Sequence, residues 1–357
     1  MGRCAPYDRR ACWLSWALRP GQTLLADCDR KARRGATVMG VAAATNAQPP
    51  AALDRQVADM GAAPGLDAPL TAIDGHAGRR SFPIGEPHVF ARAPRVPRLH
   101  GLVTTLWVSS RGAASCGPRL ERVLPTGAVH LVLRFGGPPL RVDGHSLGHE
   151  IVGGSRTEAY VREVSWSTGS VGAQLAPGAA CAVLGLPAVE LADRHTALAD
   201  LWGQEAHEWR ERIAAEASPA KRLDRFEQLL ASRISTGPER MIGWAVGEIA
   251  KGTDIGRIVE ASGFSHRHFL SIFRREVGLA PKRFARVVRF QRSIEVLSKA
   301  EGGASLAEVA HAAGYADQAH FTREFTAMAG LPPGRYRAAP RRHPNHVAWV
   351  NSVQDGE

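Results

Sequence analysis

Three sets of residues in this 357-residue chain have types and spacing that could do chemistry. The first is Gly144-His145-Ser146-Leu147-Gly148-His149-Glu150. His145, His149 and Glu150, with His130 upstream as a third imidazole, supply donor atoms of the kind that bind zinc. They fall in a Gly-rich loop without a further ligand at helical or strand spacing, so the stretch reads as a polar loop and no metal is assigned. The same residues fit G-x-S-x-G with Ser146 as nucleophile, but that turn needs a helix straight after the serine. Here Ile151-Val152-Gly153-Gly154 follows and reads as strand and turn. The second set is the five cysteines, Cys4, Cys12, Cys28, Cys116 and Cys181, an odd number with no C-x-x-C pair. They fit neither a disulfide framework nor a Cys4 zinc site, and they suit a reducing cytoplasm. No catalytic residue and no cofactor follow from these two sets, so the chain does not read as an enzyme.

The third set is cationic. The formal net charge is +11, and residues 251–341 carry +7 of it, 15 Lys and Arg against 8 Asp and Glu. Residues 1–34 add +5, 8 against 3. A basic C-terminal block beside a near-neutral middle favours a polyanionic partner, nucleic acid before membrane. No apolar run reaches the ~18 residues of a membrane span. Ala11–Leu18 follows Arg9-Arg10 but is too short for a signal peptide and lacks a small-residue cleavage site.

The elements that must position the basic residues are visible as an internal repeat. Asp254–Phe284 (DIGRIVEASGFSHRHFLSIFRREVGLAPKRF) and Ser305–Tyr336 (SLAEVAHAAGYADQAHFTREFTAMAGLPPGRY) align. Phe269 and Phe273 match Phe321 and Phe325, and Gly278, Pro281 and Phe284 match Gly330, Pro333 and Tyr336, all at an offset of 52. Gly263-Phe264 matches Gly314-Tyr315 at 51, so the two copies differ by one residue at the turn. In each copy a short helix (Ile255–Ser262 or Leu306–Ala313) should end at a Gly able to take positive φ. An aromatic then fills the corner, and a second helix buries its two Phe four residues apart. Its opposite face is free to enter a major groove about 12 Å wide. Pro281–Lys299 between the copies is long enough for one rigid helix.

This pattern resembles the AraC-type DNA-binding domain, two helix-turn-helix units joined by a linker helix, over about Pro238–Arg337. GYADQAHFTREF followed by GLPPGRY carries the resemblance furthest. Val259 departs from it, standing where the small Ala310 stands in the second copy, and predicts a more splayed first unit. The resemblance implies base-reading roles for His266, Arg267 and Ser271 in the first unit and for Gln318, Ala319, His320, Thr322 and Arg323 in the second. Arg can bind guanine bidentately and Gln adenine. It places Arg274, Arg275, Lys282, Arg283, Arg286 and Arg289 against phosphates, which position without specifying.

The rest of the chain divides by pattern. Residues 1–80 mix Arg, Ala, Gly and Pro without sustained periodicity and read as a disordered leader. Met39 and Met60 are alternative starts, so translation of residues 1–38 stays open. Residues 82–203 read as β-rich, with strands at Leu99–Ser109, Val129–Phe135, Glu158–Trp166 and Val171–Leu175, then helices at Pro177–Leu186 and Pro187–Asp193. RVLPTGAVHLVLRFGG, IVGGSRTEAY and the stretch Leu175–Gly203 are similar to a sensory domain of one subset of AraC-type regulators, which implies signal sensing or dimerisation. Residues 204–237 read as a helical linker built on Gln204–Ala217 and Pro219–Ile234, 238–340 as the double helix-turn-helix domain, and 341–357 as a frayed tail. The expected fold class is therefore a multidomain α+β chain, a β-rich sensory domain followed by an all-α DNA-binding domain. The partners implied are double-stranded DNA, RNA polymerase, an unidentified small-molecule effector and a second copy of the chain, with no membrane.

Overall fold

A computed structural model describes residues 88–110, 119–164, 169–234, 236–237, 239–299, 304–339 and 341–348. The leader at 1–80 and four of the five cysteines lie outside the described residues.

Residues 88–197 form ten strands: β1 His88–Arg92, β2 Val103–Ser110, β3 Arg119–Val123, β4 His130–Phe135, β5 Leu140–Val142, β6 His145–Gly148, β7 Glu150–Gly153, β8 Tyr160–Val164, β9 Gly169–Leu175 and β10 His195–Ala197. They make two antiparallel sheets. One is ordered β1-β2-β9-β4-β7-β10, and the other includes β3-β8-β5-β6. Side chains on a strand alternate between faces. On one face of the first sheet Leu106, Val108, Leu131, Leu133, Val152, Val171, Ala173 and Leu175 are all buried in one apolar cluster. The strand expected at Leu99–Ser109 starts later: Pro97–Leu99 is a 3-10 turn, and β2 begins at Val103. The expected helix at Pro177–Leu186 shortens to α1 Ala180–Leu184, and Pro187–Asp193 yields only the 3-10 turn Ala188–Glu190.

The cluster is closed by helices, and here the boundaries shift. After α2 Ala199–Trp202 come α3 Gln204–Ala214 and α4 Pro219–Arg233. Trp202, Ala206, Trp209, Ile213, Leu223, Phe226 and Leu230 are buried in the same cluster as the sheet. Each fully buried large apolar side chain contributes roughly 1.5–3 kcal/mol, so residues 204–233 belong to the core of the β-rich domain and are not a free linker. Ser218 starts α4 by accepting from Lys221 N at 3.3 Å, with Pro219 in the first turn.

The all-α domain follows: α5 Arg240–Lys251, α6 Ile255–Ser262, α7 His266–Val277, α8 Pro281–Lys299, α9 Leu306–Ala313, α10 Gln318–Ala329 and α11 Pro333–Ala338. The first helix of each repeat and the linker helix have the bounds expected from sequence. Gly263 and Gly314 end α6 and α9 with φ of +71° and +83°.

The frayed tail expected over 341–357 does not hold for its first part, 341–348, while 349–357 lie outside the described residues. Residues 341–348 form a hairpin, β11 Arg341–His343 and β12 His346–Ala348, and β12 pairs antiparallel with β3. The second sheet is therefore six-stranded, β11-β12-β3-β8-β5-β6. Asn345 at the turn is 2% exposed, and its carbonyl accepts from Leu124 N at 2.9 Å. Gln291 Nε2 donates to Asn345 Oδ1 at 3.0 Å, and Tyr336 Oη donates to Pro344 O at 2.8 Å. Without the hairpin the β3 backbone would be an open sheet edge.

Candidate nucleic-acid interface

Each reading helix is set by a side-chain cap. Ser265 accepts from His268 N at 3.4 Å, and Asp317 accepts from His320 N at 2.7 Å. α9 carries a full capping box, with Glu308 N donating to Ser305 Oγ and Ser305 N to Glu308 Oε2. Phe269, Phe273, Phe321 and Phe325 are fully buried, with ring centroids 5.8 Å apart in the first pair and 5.5 Å in the second. Tyr315 fills the second corner and packs on Phe321 at 5.2 Å. Burial pushes its phenol up to about 12. Phe264 is half-buried at the first corner, edge-on to His268 at 4.9 Å. Val259 is buried in the same core as Ala310.

Opposite these aromatics the anticipated readers emerge. His266, Arg267 and Ser271 are exposed, as are Gln318, Ala319 and Arg323. Thr322 is half-buried, and its carbonyl accepts from Thr326 Oγ1 at 2.8 Å. His320 is half-buried between Tyr315, edge-on at 5.4 Å, and Glu324 at 3.9 Å. Of the six phosphate candidates, Arg274, Arg275, Lys282 and Arg283 are exposed, and Arg275 Nε lies 3.4 Å from Glu276 Oε1 of its own helix. Arg283, Arg286 and Arg289 have partners on other elements. Arg286 Nε and Arg289 Nη2 both reach Glu324, at 2.7 and 3.3 Å, tying α8 to α10. Arg283 Nη2 donates to Thr157 Oγ1 at 2.7 Å and lies 3.4 Å from Asp193, both in the β-rich domain. A guanidinium satisfied by a carboxylate is a weaker claimant for a phosphate, so these three act in this structure as ties. Glu324 and Thr157 carry no local sequence signal for these pairings.

The β-rich domain grips the ends of both reading helices. A Cβ at Gly278, the C-cap of α7, would run into Ser155 Oγ and meet Ala188 O at 3.0 Å. At Gly330, its repeat equivalent closing α10, a Cβ would run into Arg122, whose Nη1 donates to Ala329 O at 2.8 Å. Ala159 N donates to Met328 O at 2.8 Å, and Gln291 Nε2 to Pro125 O at 2.6 Å. These contacts leave the N-terminal turns of both reading helices exposed.

A second concentration of chemistry, unforeseen except for His130, lies between the two sheets. Glu121 Oε2 accepts from Arg162 Nε at 2.8 Å and Nη2 at 2.6 Å, and Arg162 Nη2 lies 3.2 Å from His346 Nδ1. His195 stands edge-on to Tyr160 at 4.5 Å, and Trp107 to His130 at 6.3 Å. Burial pushes His130 down to about 4 and both His195 and His346 to about 3, with nearby Arg162 adding to each. Among the described residues no three His, Cys, Asp or Glu form a metal-holding group. His145 is exposed, and His149 has Arg134, Arg210 and Glu150 as neighbours, so neither joins His130. His145–Gly148 is a strand, in place of the helix that a nucleophile at Ser146 would need. No helix among the described residues is long and apolar enough to cross a membrane.

Two ordered helix-turn-helix units on a common core, their outer faces basic, define a DNA-binding domain behind a two-sheet domain. Residues 258–339 match the family model described as Helix-turn-helix domain, and residues 92–197 match Domain of unknown function (DUF6597). The helix-turn-helix transcriptional regulator MtrA of Neisseria gonorrhoeae is 31% identical over 84 residues, covering 24% of this chain and 27% of that protein. A putative AraC-like transcription regulator of Streptomyces lividans is 23% identical over 127 residues, 31% of this chain and 41% of that one. The chain thus spans about a quarter to a half of the length of the curated relatives it matches. Among solved structures, ToxT of Vibrio cholerae superposes with a TM-score of 0.34 at 11% identity, covering 62% of this chain and 96% of that one. The C-terminal region is thus a helix-turn-helix domain similar to that of AraC-like regulators, joined to a β-rich N-terminal domain.

Proposed function

We propose that the protein is a sequence-specific transcription regulator, acting in the cytoplasm and without catalytic activity. One observation carries this reading: both reading helices expose polar and cationic side chains at their N-terminal turns, opposite fully buried Phe pairs. The 19-residue α8 joins the two units and is about 28 Å long at 1.5 Å per residue. That length suits two heads entering major-groove faces about one DNA turn apart. Arg267 and Arg323 would read guanine, Gln318 adenine, with His266, Ser271, His320 and Thr322 beside them. Arg274, Arg275 and Lys282 would hold phosphates, giving salt-dependent affinity. The β-rich domain would adjust this binding through a small effector or a second copy of the chain, with RNA polymerase as a further partner.

The test is binding of the full chain to its own upstream DNA under excess random competitor, for wild type and Arg323→Ala. Specific binding that the variant loses, with nonspecific binding kept, supports the reading. Equal affinity of wild type for both DNAs overturns it.

A further inference from the structure

We propose that the C-terminal hairpin latches the DNA-binding domain onto the β-rich domain, so that the two reading heads keep one separation and the protein accepts one spacing between its half-sites; this rests on the DNA-binding reading above. Phe284 of α8 packs on Phe273 of the first unit at 5.8 Å, and Phe290 on Phe325 of the second at 5.1 Å. Both units thus hang on one helix. A helix of 19 residues, about 28 Å long, curves readily. Alone, α8 leaves the heads some freedom to turn against each other.

The β-rich domain restrains that freedom by touching α8 and both units. At the end of the first reading helix, Gly278 lies against Ser155 and Ala188. Along α8, a Cβ at Gly127 would meet Val287 and Phe284 at 3.2 and 3.3 Å, Arg283 donates to Thr157, and Gln291 donates to Pro125 O. At the end of the second reading helix, Arg122 donates to Ala329 O and Ala159 N to Met328 O. These contacts leave clear the N-terminal turns that would face DNA. Each hydrogen bond alone is a weak tie, and two domains joined only by such ties ordinarily move against each other.

The hairpin turns the ties into a mount. The chain enters the DNA-binding domain after Ile234, which is buried in the β-domain cluster. At the other end β12 pairs with β3 through His346 and Val123, Val347 and Arg122, and Ala348 and Glu121. The domain is therefore anchored to one neighbour at both ends of its sequence. Val347 and Leu124, 2% and 1% exposed, are buried in the cluster that holds Phe273 and Phe325, so the core of the DNA-binding domain runs across the boundary. Gln291 is where the ties meet. Its amide reaches Pro125 O on the β-rich side and Asn345 Oδ1 in the hairpin turn, and Asn345 O in turn takes Leu124 N. On B-DNA, one base pair inserted between half-sites shifts the second by about 3.4 Å and turns it by about 34°. Mounted heads cannot follow both changes and lose one half-site. Heads joined only by α8 can follow in part, with the DNA deforming to meet them.

The experiment measures affinity for the segment of its own upstream DNA that the protein protects from cleavage, and for two copies of it with one base pair added or removed between the half-sites. The proteins are wild type, a chain ending after Ala339, and Gln291→Met, which keeps the hairpin and removes the donor. Wild type should lose about tenfold or more on either altered spacing, at least the cost of one mismatched base pair. The truncated chain should lose about threefold or less, its heads and the DNA sharing the adjustment, and Gln291→Met should fall between. General destabilisation would weaken binding to all three DNAs alike and keep the wild-type ratio; that result overturns the latch, as does wild-type binding that ignores spacing. A second arm, without DNA, follows amide hydrogen exchange. Both variants should exchange faster, by about tenfold in the truncated chain, at Ala159, whose N–H is bonded to Met328 O and not to the hairpin. A rise confined to β3 overturns the latch, and Gln291→Met decides if the truncated chain does not fold. Absence of specific DNA binding by wild type counts against the DNA-binding reading, and the exchange arm then decides the latch alone.

Discussion

Gly278 and Gly314 allow the interdomain contact to be weighed against a built-in control. Both close a helix of the helix-turn-helix repeat in the left-handed region, with φ of +84° and +83°. Replacing either with Ala incurs the same backbone strain, roughly 1–2 kcal/mol for an L-residue there. Their surroundings differ. A Cβ at Gly314 finds only Arg292 Nη1 at 3.9 Å, an ordinary contact with the end of a flexible side chain. A Cβ at Gly278 overlaps Ser155 Oγ and meets the carbonyl oxygen of Ala188 at 3.0 Å, and that backbone cannot rotate away. Overpacking of this kind adds about 1–3 kcal/mol. Gly278→Ala should therefore destabilise the full chain by roughly 2–5 kcal/mol against roughly 1–2 for Gly314→Ala. Urea unfolding of wild type and both variants measures the difference. Limited proteolysis should also cut Gly278→Ala faster in the 154–159 loop. Equal costs within about 0.5 kcal/mol, the usual scatter for independent sites, would refute the claim that the β-rich domain grips the end of the first reading helix.

Three further outcomes are expected. Glu324→Gln frees Arg286 and Arg289 from their shared carboxylate, so nonspecific DNA binding should depend more steeply on salt, by up to roughly 0.9 per added phosphate contact in the log–log slope; an unchanged slope in a salt titration would show that neither arginine reaches DNA. Ending the chain after Ala339 removes the hairpin, exposes the β3 edge and strips Gln291 and Tyr336 of their partners Asn345 and Pro344. The truncated protein should melt lower and lose hydrogen-exchange protection in β3, whereas wild-type protection there would sink the strand assignment. The third outcome concerns acid. His195 and His346 are held down to about 3 and His130 to about 4, against an ordinary 6.5. Below pH 6.5 the unfolded chain takes up protons that the folded imidazoles refuse, so stability is full above about 6.5 and is lost as pH falls towards 3. Urea midpoints followed from pH 7 to 4 should drop, and less steeply for His346→Asn; parallel curves would contradict neutral, buried imidazoles.

What the sequence determined by itself was what short range dictates. The 52-residue offset, the Gly after each short helix and the Phe pairs four apart define the two helix-turn-helix units, because capping, positive φ and helical periodicity act within one or two turns. The exposure of the candidate readers Arg267, Ser271, Gln318 and Arg323 follows from the same geometry once the buried face is known. Tertiary structure alone decided everything that depends on partners far along the chain. Residues 204–233 look like a charged linker because half of each helix is polar, yet their apolar stripes close the β-domain core. Arg-Arg-His-Pro-Asn-His has no strand signature, and it becomes one only because β3 offers an unpaired edge and Gln291 a donor. The fates of Arg283, Arg286 and Arg289 were set by Thr157 and Glu324, 126, 38 and 35 residues away respectively. A guanidinium on a helix looks the same in sequence whether it faces water, a phosphate or a carboxylate, and only the packing of the two domains distinguishes these.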